Sequence, residues 1–245
     1  MRFVEHGNAE HRSLMLIHGM ANTADYFDPL MPYLKDYHVV VCELSGHSRS
    51  EQGDFISVAE ESQRIEEYVK EKLNGRLYGL LGFSLGATIC VELLSRGKIE
   101  VEKTILDAAF TVKMGFMTYP FRFLFQVGIW CLKKGIHLPD FLVETAMGKG
   151  NAGVVNTLYA GVSMKTIGNA CMDIYTYTIS PHLAEHTKPV AFWCGQNEPF
   201  PKKSAKLLKR YLPQMRVRVF KGMGHGQMLR EHTRIYAKRV LEDLS

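Results

Sequence analysis

The sharpest chemical signal in the chain is LYGLLGFSLGAT, Leu77–Thr88, in which Ser84 stands between Gly82 and Gly86. Leu77, Leu80, Leu81 and Phe83 before the serine predict a buried strand, and Ala87, Ile89, Val91, Leu93 and Leu94 after it predict a helix. A turn this abrupt forces the serine into strained backbone angles, and side chains two residues before and after it would collide with each other and with neighbouring strands. Glycine at both positions removes the collision. The hydroxyl is then held above the sheet edge, beside a helix N-terminus whose free N–H groups and dipole favour a developing negative charge. Those are the conditions under which a serine attacks an acyl carbonyl.

A serine placed this way needs a sheet beneath it, and the flanking sequence supplies the strands. Ser13–Ile17 is a short apolar strand running into His18-Gly19-Met20, and Tyr37–Leu44, YHVVVCEL, is a β-branched run suited to a central parallel strand. Tyr26, Phe27, Leu30, Met31 and Leu34 predict a helix over 25–34, with Pro29 and Pro32 making it irregular. Ser57 and Glu60 form a capping box ahead of a helix whose apolar side is Val58, Ile65, Val69 and Leu73. The helix after Ser84 ends at Gly97, and Val101–Asp107 is a further strand ending in an acid. Lys188–Cys194 and Met215–Phe220 read as the last strands, with an amphipathic helix over Pro201–Tyr211 between them. A final helix carries Met228, Leu229, His232, Ile235, Tyr236 and Val240 on its packed side. Strands alternating with helices call for a parallel sheet covered on both faces.

That alternation breaks between Ala108 and His186, where the chain becomes rich in aromatic residues and methionine. The segment reads as an inserted helical unit, with packing claiming most of its aromatic side chains. Its run Phe116–Leu132 is short for a membrane span, holds Arg122 and Gln126 in its middle and is interrupted by Pro120, which argues against crossing a bilayer and leaves contact with a lipid surface open.

Composition narrows the remaining classes. With 245 residues, 46% hydrophobic and 22% charged, the chain has the makings of an ordinary α/β domain with an insertion, neither disordered nor membrane-embedded. The net charge of +5 gathers late, alternating with apolar residues, and no recognition motif accompanies it, so no nucleic-acid partner is expected. Cys42, Cys90, Cys131, Cys171 and Cys194 are scattered and odd in number, which points to a reducing compartment. Charged and polar residues throughout the first sixteen positions leave no signal-peptide core, so the expected location is cytoplasmic. His182 and His186 share a helical spacing but lack a third ligand, and no metal is expected.

Together the Gly82-x-Ser84-x-Gly86 turn, the His18-Gly19-Met20 loop, the SGHSRS turn at Ser45–Ser50, GQNEPF after the strand at Lys188 and GMGHGQM at Gly222–Met228 resemble the α/β-hydrolase fold family, in a serine esterase or lipase-like form with a helical cap. The resemblance implies a mostly parallel sheet flanked by helices, a hydrolase core over 1–107 and 187–245 and a cap or lid over 108–186. It implies that Ser84 is the nucleophile, His225 the base and Glu198, in place of the family's usual aspartate, the acid. Asp107 is the rival for the acid, and Glu198 is preferred because its turn matches at several positions; each also has a helix-capping alternative. The backbone N–H groups of Met20 and Leu85 would form the oxyanion hole, while His18 and His47 would be structural. The implied activity is cofactor-free hydrolysis of a small to medium carboxylic ester through an acyl-enzyme, with an apolar ester or related acyl compound as the small-molecule partner and a monomer or homodimer as the working form. A thioesterase, an acyltransferase, a carbon–carbon bond hydrolase or a non-enzymatic ligand-binding protein on the same fold are the alternatives.

Overall fold

The computed structural model describes residues 1–50, 53–136, 138–147, 155 and 158–245. Its strands are β1 (Arg2–His6), β2 (Arg12–Ile17), β3 (Tyr37–Glu43), β4 (Arg76–Phe83), β5 (Glu100–Asp107), β6 (Val190–Gly195) and β7 (Arg216–Phe220). Among the described residues they form a single sheet in the order β1-β3-β2-β4-β5-β6-β7. All pairings are parallel except β1 with β3. This is the α/β-hydrolase fold that the sequence motifs predicted. The antiparallel edge strand β1 was not foreseen, because Glu5 and His6 interrupt its apolar pattern; Val4 and its neighbours pair directly with Val39–Glu43.

Successive residues of the central strands point to opposite faces, and each face has its own core. Val40, Cys42, Leu80, Leu106 and Phe192 face one side, while Val41, Leu81, Ile105 and Trp193 face the other. The first side receives α1 (Val58–Lys72) and α2 (Leu85–Arg96); the second receives a 3-10 helix over Ala24–Tyr33 and the C-terminal helix. Ser57 caps α1 as its motif predicted, accepting the N–H of Glu60 at 3.1 Å. The 24–33 segment winds as a 3-10 helix because Pro29 and Pro32 remove backbone donors that an α-helix needs.

Between β5 and β6 the chain leaves the sheet for α3 (Thr118–Lys133), α4 (Asp140–Met147) and α5 (Met164–Thr176). Residues 137, 148–154, 156 and 157 of the predicted cap lie outside the described residues. Helix α5 is fastened to the loop before α1: Thr166 Oγ1 accepts the Phe55 N–H at 3.1 Å, Asn169 Nδ2 donates to the Phe55 carbonyl at 2.8 Å, and Asp173 accepts the N–H of Val58. Among the described residues no helix is long and apolar enough to cross a membrane.

Two details depart from the sequence expectation. Helix α6 (Pro199–Leu208) starts directly after Glu198, two residues earlier than expected. The single C-terminal helix is in fact α7 (Gln227–Glu231) and α8 (Thr233–Leu244), broken at His232, and Ile235 faces solvent. As expected, packing claims most of the aromatic residues of the 108–186 segment, with Tyr175 buried and Phe110, Phe121, Phe125, Tyr159 and Tyr177 packed against the core, but Phe116, Tyr119, Phe123 and Trp130 are exposed. Helical periodicity identified them as apolar stripes but carried no information on which stripe has a partner.

Candidate active site

Ser84 stands where β4 turns into α2, with φ 54° and ψ −114°, a conformation that costs roughly 1–3 kcal/mol in a residue with a side chain. The surroundings hold it there. Its N–H donates to the Asp107 carbonyl at 2.8 Å, tying the turn to β5. A Cβ on Gly86 would lie against the carbonyl oxygen of Ile17, and one on Gly82 against the carbonyl of Gly86. Only glycine lets α2 start this close to β2, so the turn is a consequence of these two residues and of the strand order.

His225 reaches Ser84 from the loop between β7 and α7. Its Nε2 lies 3.0 Å from Ser84 Oγ, and its Nδ1 lies 2.6 Å from Glu198 Oε1. A carboxylate only accepts hydrogen bonds, so Nδ1 carries the proton and Nε2 is left to accept from the hydroxyl. Glu198 is buried in the loop between β6 and α6, and its second oxygen accepts the N–H of Gly195. It occupies the N-cap position of α6 without making a side-chain cap bond, so the capping alternative does not describe it. The ring of His225 rests against Phe83 at 4.8 Å between centroids, and its carbonyl accepts from Arg230 Nη1 at 2.8 Å.

Asp107 takes a different partner. Its carboxylate accepts the Tyr236 hydroxyl at 2.8 Å, while burial and the nearby Glu198 charge push its pKa up to about 7. Beside it Tyr26 stacks on Phe83 at 4.8 Å, and Tyr26 Oη is buried without a hydrogen-bond partner. Gly226, at φ 65°, leaves the space this ring needs, since a Cβ there would come within 2.8 Å of Tyr26 Oη. In the sequence Tyr26 and Tyr236 read as helix packing, and Arg230 carries no signal. Nothing in their spacing signals that they support His225 and Asp107.

The proposed oxyanion donors fall near the hydroxyl in different ways. Leu85 is the first residue of α2, where an N–H has no carbonyl one turn earlier to bond. Met20 lies in the wall of the cavity beside Ser84, on the loop after β2. That loop is braced by His18, whose Nδ1 donates to the Gly19 carbonyl at 2.8 Å and whose Nε2 accepts the Leu44 N–H at 3.1 Å. Complete burial drives its pKa down to about 4. His47, also fully buried, donates to the Ser45 carbonyl at 2.9 Å and has its pKa driven down to about 3, first by burial and then by His18. The turn at Ser45–Ser50 supports His18 from behind and does not line the cavity. His182 pairs with Glu185 at 2.7 Å, and among the described residues no cluster of three metal-ligating side chains is present.

Ser84, Glu198 and His225 open onto a cavity of about 380 Å³ between the sheet edge and the 108–186 segment. Its walls are apolar, with Phe110, Phe121, Phe125 and Ile174 among them, and Asn22 and Tyr175 add polar groups. Among the described residues no lysine or arginine lines it.

Comparison with known proteins agrees with this architecture. The family profile described as the alpha/beta hydrolase fold matches residues 12–128. A 2-succinyl-6-hydroxy-2,4-cyclohexadiene-1-carboxylate synthase of Pectobacterium atrosepticum is 30% identical over 78 residues, which span 32% of this chain and only 30% of that protein. An alpha/beta hydrolase family protein from Desulfitobacterium hafniense superposes with a TM-score of 0.87 at 24% identity, each chain covered completely, 100% of both. A structure from a study of carboxylesterases of Nitrososphaera gargenis gives 0.78 at 18% identity, covering 98% of this chain and 92% of the other.

Proposed function

We propose that this chain, which has the α/β-hydrolase fold, is a serine hydrolase that cleaves a small to medium carboxylic ester with an apolar acyl or alcohol portion. The observation that carries the reading is the continuous hydrogen-bond path from Ser84 Oγ through His225 to Glu198, ending at an apolar cavity. In this reading Ser84 Oγ attacks the ester carbonyl while its proton passes to His225 Nε2, and the Glu198 carboxylate stabilises the imidazolium and fixes its tautomer. The N–H groups of Met20 and Leu85 receive the oxyanion, an interaction for which each donor is worth roughly 10²–10³ in rate. His225 then gives its proton to the departing alcohol, takes one from an entering water, and the acyl group leaves as a carboxylic acid.

Residues 108–186 serve as a cap that sets which chain lengths fit. The described walls are apolar, which suits a substrate whose acyl or alcohol portion is apolar.

A p-nitrophenyl ester series of increasing acyl length tests the reading. Turnover with a preference for chains that fill the cavity is expected, together with loss of turnover in Ser84→Ala. Ligand binding without turnover, indifferent to Ser84→Ala, would make this a binding protein instead.

A further inference from the structure

Helix α3 is apolar on two opposite sides. At 3.6 residues per turn, Phe121, Phe125, Gly128 and Leu132 fall on one side and line the cavity. Tyr119, Phe123, Val127 and Trp130 fall within an arc of roughly 80° on the other side. That outer arc is uncovered: Tyr119 is 64% exposed, Phe123 69% and Trp130 49%. A helix side this apolar is normally buried, and exposed apolar patches of this kind mark interaction sites. Leu124 and Val127 belong to both surfaces, being exposed and also in the cavity wall, so the outer face runs continuously into the cavity rim.

Charge selects the partner. Residues 108–139 contain no aspartate or glutamate, while Lys113, Arg122, Lys133 and Lys134 are present and the three lysines are exposed. A second copy of the chain docking here would bring two lysine-bearing α3 segments of like charge together. An anionic lipid surface complements that charge, and tyrosine and tryptophan are side chains suited to the headgroup layer. We propose that the outer face of α3 rests on an anionic lipid surface, lying in the plane of its headgroups, with the cavity rim at Leu124 and Val127 turned toward the lipid.

The test uses the full chain and vesicles of phosphatidylcholine alone or in an equal mixture with phosphatidylglycerol, without substrate, so its outcome is separate from the chemistry assigned to Ser84. Trp130 is one of two tryptophans and the other, Trp193, is fully buried, so a change in emission reports on Trp130. Flotation with the mixed vesicles, a blue shift of Trp130, and weakening by salt are expected. Lys133→Gln together with Lys134→Gln lowers partitioning roughly 25-fold, from about fivefold for each lysine. Phe123→Ser, outside the cavity wall, lowers it by about tenfold. Wild-type protein that stays with the aqueous phase overturns the proposal, as does binding that ignores both sets of substitutions. Sedimentation revealing a dimer that Phe123→Ser dissociates would also overturn it, in favour of a second copy. Near-ultraviolet circular dichroism checks that each variant is folded, and the wild-type measurement decides the matter even where one is not.

Discussion

Helix α2 meets the cavity only at its N-cap, Ser84, whereas α3 lines it, and the two are built on opposite terms. Ten of the twelve residues of α2 are buried, and the helix begins at the strained Ser84 because Gly82 and Gly86 let it approach β2. In α3 only Thr118 and Ile129 are buried, although the helix is richer in aromatic residues. A nucleophile held to within a few tenths of an ångström of its base needs a support whose alternatives are all excluded by packing. A wall that accommodates an acyl chain needs only apolar area, and the structure leaves it lightly covered. On the proposed function, chemistry belongs to the sheet side and selectivity to the helical segment, a division that substitutions on either side can break.

The largest effect is expected from Glu198→Gln. Replacing the carboxylate leaves the bulk of the side chain but allows His225 to adopt the wrong tautomer, so kcat should fall by about 10⁴ for short and long esters alike. A loss confined to long esters would place selectivity on the sheet side and contradict the contrast.

Next in size is the pH dependence of stability, which belongs to the buried groups of the sheet side. Asp107 has its folded-state pKa raised to about 7 by burial, so the unfolded chain releases a proton that the folded chain keeps. Stability should therefore fall as pH rises from about 4 to about 7, by an amount on the order of a few kcal/mol. Asp107→Asn keeps an acceptor for Tyr236 and should abolish that slope in urea titrations across the range. His18 and His47 act in the opposite sense. Their folded pKa values lie at about 4 and about 3, so their contribution is complete above the ordinary imidazole pKa and is lost as pH falls through the range below it. The Asp107→Asn protein should accordingly be the more acid-sensitive one in relative terms.

How far the sequence disclosed all this depends on whether the physics was local. The turn at Ser84 was legible because a sterically forced conformation leaves glycine at fixed positions. So was the sheet, because apolar runs of strand length alternated with capped helices. The winding of residues 24–33 turned on Pro29 and Pro32, whose irregularity was visible although its form was not. The break at His232 has no glycine or proline to announce it. The pairing of Asp107 with Tyr236 links residues 129 positions apart, beyond any local pattern. Whether Phe116 or Phe123 would find a partner depends on the whole assembly of helices, and periodicity alone treats a covered stripe and a bare one alike.

The smallest of these effects is expected on the helical segment. Phe121→Ala removes part of the cavity wall and should lower kcat/KM for long-chain esters by about tenfold, while short esters that do not reach the ring keep their kcat. Equal losses for both would mean that α3 helps to hold Ser84 and His225 in place, and the division between the two helices would have to be redrawn.

The account rests on Ser84 being activated by His225, and labelling with a fluorophosphonate followed by peptide mapping addresses that directly. One label per chain on Ser84, with labelling abolished in a folded His225→Ala protein, is the result expected. A label elsewhere, no label, or labelling of Ser84 at an unchanged rate in His225→Ala would contradict it.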